Sequence, residues 1–272
     1  MADEQPTSES IWLWPGTPPE TVDGFRPWLE PFLLEDRPSA GAVLIAPGGG
    51  YRYRSWPKEG LRVAERFNRE GWHAFVLAYR VFPHHHPAAL LDARRAMQII
   101  RHNADAWGVR SDRIAACGFS AGGHLVGSLA LLDGHEDLAP SDAISKLPTR
   151  PDALVLSYPV ITAGEYADQR AIDNLLPEGA DKALQNEVSL ERHVRADMPP
   201  TFLWHTAVDT IAPVENSLLF ALACHSHRIP LELHVYPEGR HGMGLAVAPA
   251  RVDPHVATWM PLCCEWLRTL GW

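Results

Sequence analysis

Basic residues are in deficit: 24 Lys and Arg stand against 33 Asp and Glu, a formal charge of −9, and no Lys/Arg block occurs. A polyanionic partner such as nucleic acid therefore finds no electrostatic footprint. Long apolar runs are missing too, none being long enough to span a bilayer. The opening stretch "MADEQPTSES" has neither the basic nor the apolar region of a secretory leader. The expectation is a cytoplasmic protein with no nucleic-acid or membrane partner. Cysteine is scarce as well: Cys117, Cys224 and the adjacent Cys263 and Cys264 show no C-x-x-C spacing and no repeated framework. Buried thiols follow, rather than a disulfide scaffold. No H-E-x-x-H occurs, and His84, His85 and His86, being consecutive, cannot readily converge on one ion, so no metal is expected.

What is present is apolar bulk. Hydrophobic residues make up 46% of 272, with 10 Trp, enough for a sizeable core. Residues 1–38 are rich in Pro, Trp and acids ("IWLWPGTPPE", "RPWLEPFLLEDRP") and read as an irregular N-terminal arm. Regular patterning then begins. "GAVLIAP", "HAFVLAY", "RIAACGF", "DALVLSYP", "TFLWHT" and "LELHVYP" are short apolar runs bounded by turn residues, as buried strands are. Between them lie helical stretches, clearest over 87–107, where Leu90, Ala93, Met97, Ile100, Ala104 and Trp107 share one face. Strands alternating with helices predict a single α/β domain over 1–272, its mostly parallel sheet covered by helices on both faces. Residues from about 160 to 198 break the alternation and read as a small insert or partial cap.

In such sheets chemistry sits beyond the carboxyl ends of strands. "CGFSAGGH" lies there, and Gly118, Ser120 and Gly122 form G-x-S-x-G, a turn that exposes a serine hydroxyl. A serine needs a base, and the base needs an orienting carboxylate. Of 14 histidines, His241 in "YPEGRHGMG" follows an apolar run directly, and so does Asp209 in "HTAVDTIAPVENS". Glu238 is a rival acid, but it sits three residues from His241, and a triad acid must reach the imidazole from another segment. "APGGGY" follows the first regular strand, where Gly49 and Gly50 allow close backbone approach; with the N–H of Ala121 they would form an oxyanion hole. Tyr51, Arg52, Tyr53 and Trp56 come next, and two readings stand for them: lining of a substrate pocket, or packing.

"PGGGY", "FVLAYR", "GFSAGGH", "SYPVI", "LWHTAVD…PVENS", "ELHVYPEGRHGMGL" and the Trp-rich C-terminal helix together resemble the α/β-hydrolase esterases related to acetyl esterases, acetylxylan esterases and the hormone-sensitive-lipase type. The resemblance runs over about 41–270. It implies an α/β-hydrolase fold, Ser120 as nucleophile, Asp209 as acid, His241 as base, and Gly49, Gly50 and Ala121 as oxyanion donors. Similar proteins often carry two successive acids where this chain has Val208-Asp209, and lipase-type members have histidine where it has Pro47, which points to the acetyl-esterase branch. A serine esterase without cofactor is implied, acting on short acyl esters, acetyl above all, of a small alcohol or an acetylated saccharide such as a xylan fragment. An amidase resembling aryl formamidases would use the same triad, and a non-catalytic binding module on this fold is a third alternative.

Overall fold

The computed structural model describes residues 4–35, 39–135, 138, 141–247 and 252–272. Its strands are β1 (Ile11–Trp12), β2 (Trp28–Phe32), β3 (Ala40–Ala46), β4 (His73–Ala78), β5 (Val109–Phe119), β6 (Ala153–Ser157), β7 (Thr201–Thr206) and β8 (Leu231–Tyr236). The six apolar runs are β3 to β8. All strands join one sheet in the order β1-β2-β4-β3-β5-β6-β7-β8, with β3 to β8 parallel to their neighbours within that set. The helices are α1 (Arg62–Glu70), α2 (Ala88–His102), α3 (Ala104–Trp107), α4 (Ala121–Leu131), α5 (Gln169–Leu175), α6 (Lys182–Glu187), α7 (Glu215–Ser226) and α8 (Trp259–Thr269).

Side chains alternate across each buried strand, so the two faces of the sheet carry separate cores. Ala42, Leu44 and Ala46 of β3 pack with Met97 of α2, Leu125 of α4 and Phe220 of α7. Val43 and Ile45 face the other way, toward Phe67 of α1 and Trp259 and Cys263 of α8. All four cysteines are free and buried. Burial pushes the Cys224 and Cys264 thiols up to about 12, so they are inert packing groups at neutral pH. No helix among the described residues is long and apolar enough to cross a membrane.

The N-terminal arm differs from its expected irregular form. It supplies β1 and β2, and β2 lies antiparallel on β4 with Trp28 opposite Ala78 and Phe32 opposite Ala74. Pro31 disguises this strand, because proline cannot donate to a ladder. Here β1 pairs only with Trp28 and Leu29, so Pro31 sits on an open edge where no donor is needed. Residues 1–3 and 36–38 of the arm lie outside the described residues. A buried ion pair ties the arm down: the Arg80 guanidinium meets both oxygens of Asp92 at 2.8 and 2.9 Å, and Trp14 Nε1 donates to the same carboxylate at 2.9 Å.

The stretch from 160 to 198 contains no strand among its residues and folds as α5, α6 and a short turn, Leu190–Arg192. Asp168 and Asp181 cap α5 and α6, accepting from the N–H groups of Ala171 and Leu184. Asn216 of α7 anchors the start of this insert by accepting from Ile161 and Thr162 N–H at 2.8 and 3.2 Å.

Candidate active site

Ser120 stands between β5 and α4 with φ 54° and ψ −122°, a strained backbone for a residue bearing a Cβ. Neighbouring elements hold it there: its N–H donates to Ser157 O at 3.0 Å, and its carbonyl accepts from Val160 N–H at 3.1 Å. The flanking glycines serve close approach. A Cβ on Gly122 would lie 2.1 Å from Ala46 O, and one on Gly118 would lie 2.2 Å from Gly122 O. The turn therefore packs backbone against backbone and leaves the serine hydroxyl facing a cleft.

The strand ends deliver the other two members. His241 Nε2 lies 2.8 Å from Ser120 Oγ, and His241 Nδ1 lies 2.7 Å from Asp209 Oδ2. Asp209 is buried, and its Oδ1 accepts from Ile211 and Ala212 N–H at 2.9 and 3.2 Å. Burial by itself would raise its pKa. Hydrogen bonds from His205 and His241 and from the backbone overcome that, holding the carboxyl far below the usual carboxylate range. Asp209 is thus an anion whenever the protein is folded at ordinary pH, the state needed to fix the Nδ1–H tautomer of His241. Glu238 is exposed and stays outside this relay.

Gly49 and Gly50 line the cleft beside Ser120 and His241, while Ala121 is the first residue of α4. Gly49 has φ 140°, and a Cβ there would sit 2.0 Å from Tyr53 O, so no side chain is tolerated. Beneath this loop lies a residue that the sequence did not single out. Glu59 is buried; its Oε2 accepts from Gly48 N–H at 3.0 Å and its Oε1 from Tyr158 OH at 2.9 Å. Tyr158 OH in turn accepts from Gly244 N–H at 2.8 Å, and its ring meets the His241 imidazole edge-on at 5.1 Å between centroids. Lys58 Nζ, 3.2 Å from Glu59, donates to Gly242 O at 3.0 Å. One carboxylate therefore ties the glycine loop to the loop that carries His241.

The cleft has a volume of about 380 Å³ and is lined on one side by Arg52, Tyr53 and Lys58, and on the other by Asp168, Arg170 and Asn174 of the insert. Asn174 also donates to Gly50 O at 2.8 Å, so the insert supports the glycine loop directly. Burial raises the Asp168 carboxyl despite its capping bond from Ala171. Of the aromatic and basic residues after the glycines, Arg52 and Tyr53 line the cleft. Tyr51 and Trp56 do not, and pocket lining is corrected to packing for both. Tyr51 is buried, its hydroxyl 2.8 Å from His124 Nδ1, and Trp56 packs on Trp28 at 5.7 Å. The cause is the turn itself: Tyr51 has φ 53°, which swings its ring inward. Glu59 and Tyr158 escaped sequence reasoning because a buried carboxylate and a phenol linking two loops leave no spacing signal. His205 was closer to legible, four residues before Asp209 at the end of β7, and its Nε2 is 3.5 Å from Asp209 Oδ2.

The family description BD-FAE matches residues 35–223. The chain is 37% identical over 243 residues to endo-1,4-beta-xylanase B of Butyrivibrio fibrisolvens and 29% identical over 244 residues to an acetylxylan esterase of Xylanibacter ruminicola. Each match takes in 88% of this chain, yet the chain spans only 38% and 46% of the length of those curated relatives. Among solved structures, the acetyl ester-xyloside bifunctional hydrolase of Caldicellulosiruptor lactoaceticus superposes with a TM-score of 0.90 at 38% identity, covering 99% of both chains. A thermophilic esterase of Thermogutta terrifontis gives 0.80 at 25% identity, over 98% of this chain and 94% of that one. A match of this extent, on a mostly parallel sheet with a serine at its elbow, makes the chain a member of the BD-FAE family with an α/β-hydrolase fold.

Proposed function

We propose that this chain is a serine carboxylester hydrolase that removes short acyl groups, acetyl above all, from a small hydroxyl-rich alcohol such as an acetylated xylo-oligosaccharide. The observation that carries it is the unbroken relay of 2.7 and 2.8 Å from Asp209 through His241 to Ser120 Oγ. The names of the relatives, two of which are an acetylxylan esterase and an acetyl ester-xyloside hydrolase, support the acyl and sugar parts.

His241 Nε2 accepts the Ser120 proton as Oγ attacks the ester carbonyl carbon, and Asp209 stabilises the imidazolium. Negative charge then gathers on the carbonyl oxygen, where the N–H groups of Gly49, Gly50 and Ala121 receive it. The tetrahedral adduct collapses, His241 gives its proton to the departing alkoxide, and an acyl-Ser120 ester remains. Water enters, loses a proton to His241 and releases the carboxylic acid by the same steps in reverse. None of this calls for a cofactor. The charged walls of the cleft, Arg52, Lys58, Asp168 and Arg170, suit an alcohol rich in hydroxyls better than a long alkyl chain. An amidase would share the acyl-enzyme, and turnover of a matched ester and anilide separates the two.

The test is acetate release from acetylated xylo-oligosaccharide beside release from 4-nitrophenyl acetate, with wild type and Ser120→Ala. Turnover of both by wild type alone supports the proposal. Turnover of the activated ester alone removes the saccharide from it, and equal activity of Ser120→Ala overturns the mechanism.

A further inference from the structure

Outside the cleft, three chain segments bring a second set of titratable groups together. His86 precedes α2, His135 follows α4 and Glu187 ends α6. His86 Nε2 and His135 Nε2 both point at the same oxygen, Glu187 Oε1, at 3.0 and 2.9 Å. The imidazoles meet edge to face, 5.2 Å between centroids, and one ligand atom from each of the three residues lies within 4.8 Å of the others. Consecutive histidines cannot share an ion, and here they do not try to. His84 turns toward Asp23, with Nε2 3.4 Å from its carboxylate, while His86 joins His135 and Glu187.

We propose that His86, His135 and Glu187 form a binding site for a divalent transition metal of the zinc type, which clamps the insert to the body of the hydrolase. Two imidazole nitrogens and one carboxylate oxygen are a donor set that zinc accepts, with water completing a tetrahedron. The fourth position is reachable, because the side chains of His135 and Glu187 are 27% and 39% exposed while that of His86 is 4%. Metal–ligand lengths of about 2.0–2.2 Å require the three atoms to close around the ion by a small movement of the two exposed side chains. Each imidazole would pass its proton from Nε2 to Nδ1, so the ion replaces two hydrogen bonds with two coordinate bonds and no net proton is lost from the rings.

Neighbouring side chains and backbone fix where two of the three ligands stand. Arg94 donates to the carbonyls of Leu132 and Gly134, shaping the loop that presents His135. The site also lies on the framework of the cleft. His86 N–H donates to Leu175 O at 2.7 Å, the residue after Asn174, whose side chain supports Gly50. An ion held here would fix the insert at the point from which it braces the glycine loop.

Zinc titration of the chelator-treated full chain, read by competition with a chromophoric zinc indicator and by thermal melting, tests the site. Wild type binds one zinc per chain at micromolar or lower concentration, and at free zinc 100-fold above the dissociation constant its Tm rises by about 5–10 °C. His135→Ala and the near-isosteric Glu187→Gln, both partly exposed positions, each weaken binding at least about tenfold and cut the Tm gain at the same free zinc by about half or more. Absence of zinc binding by wild type overturns the proposal. So does binding that both variants retain, which would place the metal on other histidines.

Discussion

Two histidine–carboxylate clusters among the described residues have similar distances and different origins. In the first, His241 meets Asp209 at 2.7 Å and Ser120 at 2.8 Å; in the second, His86 and His135 meet Glu187 at 3.0 and 2.9 Å. The first hangs from the carboxyl ends of β5, β7 and β8, three strands locked in one parallel sheet. The second hangs from two loops and the last residue of a short helix. A sheet fixes the direction in which each strand delivers its following loop, so three distant residues arrive together with almost no freedom. Loops around an insert converge only through the packing of the insert itself, and an added ion has something to tighten.

The sharpest way to break that contrast is at the first cluster. Ser120→Ala is expected to lower kcat by about 10⁶-fold, read with a chromogenic acetate ester, while thermal stability holds, because alanine keeps the Cβ and loses only the hydroxyl. Asp209→Asn keeps the shape but leaves Nδ1 with the wrong partner, and a fall of about 10⁴-fold in kcat with little change in KM is expected. Should Asp209→Asn keep near wild-type kcat, His205 and the backbone would be orienting the imidazole without it. Glu59→Ala tests the tie between the two loops: its carboxylate holds Gly48 N–H and Tyr158 OH, so kcat should fall up to about 100-fold, chiefly through misplaced oxyanion donors, with KM much less affected. A parallel rise in KM and fall in stability with unchanged kcat would make Glu59 a packing residue only.

Acid sharpens the contrast on the stability side. His124 is fully buried, with Nε2 2.7 Å from Val188 O beside Glu187 and Nδ1 at the Tyr51 hydroxyl, and burial lowers its pKa to about 4. The unfolded chain therefore binds a proton at this residue from pH 6.5 downward while the folded one resists until about 4, so stability is lost as pH falls through that window. His73 and His86, lowered by burial as well, add in the same direction. A loss on the order of 3 kcal/mol between pH 7 and 4 is expected from His124, measurable as a falling urea midpoint. Unchanged midpoints across that range would mean that His124 reaches water in the folded protein.

Legibility in the sequence followed the same division. The strands that carry chemistry announce themselves as apolar runs, and Ser120, Asp209 and His241 are the residues standing just beyond them; their order and spacing were sufficient to bring them together. Trp28–Phe32 was hidden by a proline that an edge tolerates. For Tyr51 and Trp56 the sequence leaves pocket lining and packing both open, and the left-handed turn at Tyr51 sends that ring into the core. Glu59, Tyr158 and Asn174 act through side-chain hydrogen bonds between segments up to 124 residues apart, and no local pattern encodes such bonds. His86, His135 and Glu187 belong to this last class, assembled by the insert rather than by the sheet.

The most direct check on the central assignment is intact-mass spectrometry after treatment with a serine-directed phosphonate, followed by peptide mapping. Wild type gains one phosphonyl group, mapped to Ser120, and Ser120→Ala gains none. Absence of labelling in wild type, or a label on another residue that persists in Ser120→Ala, would contradict Ser120 as the nucleophile.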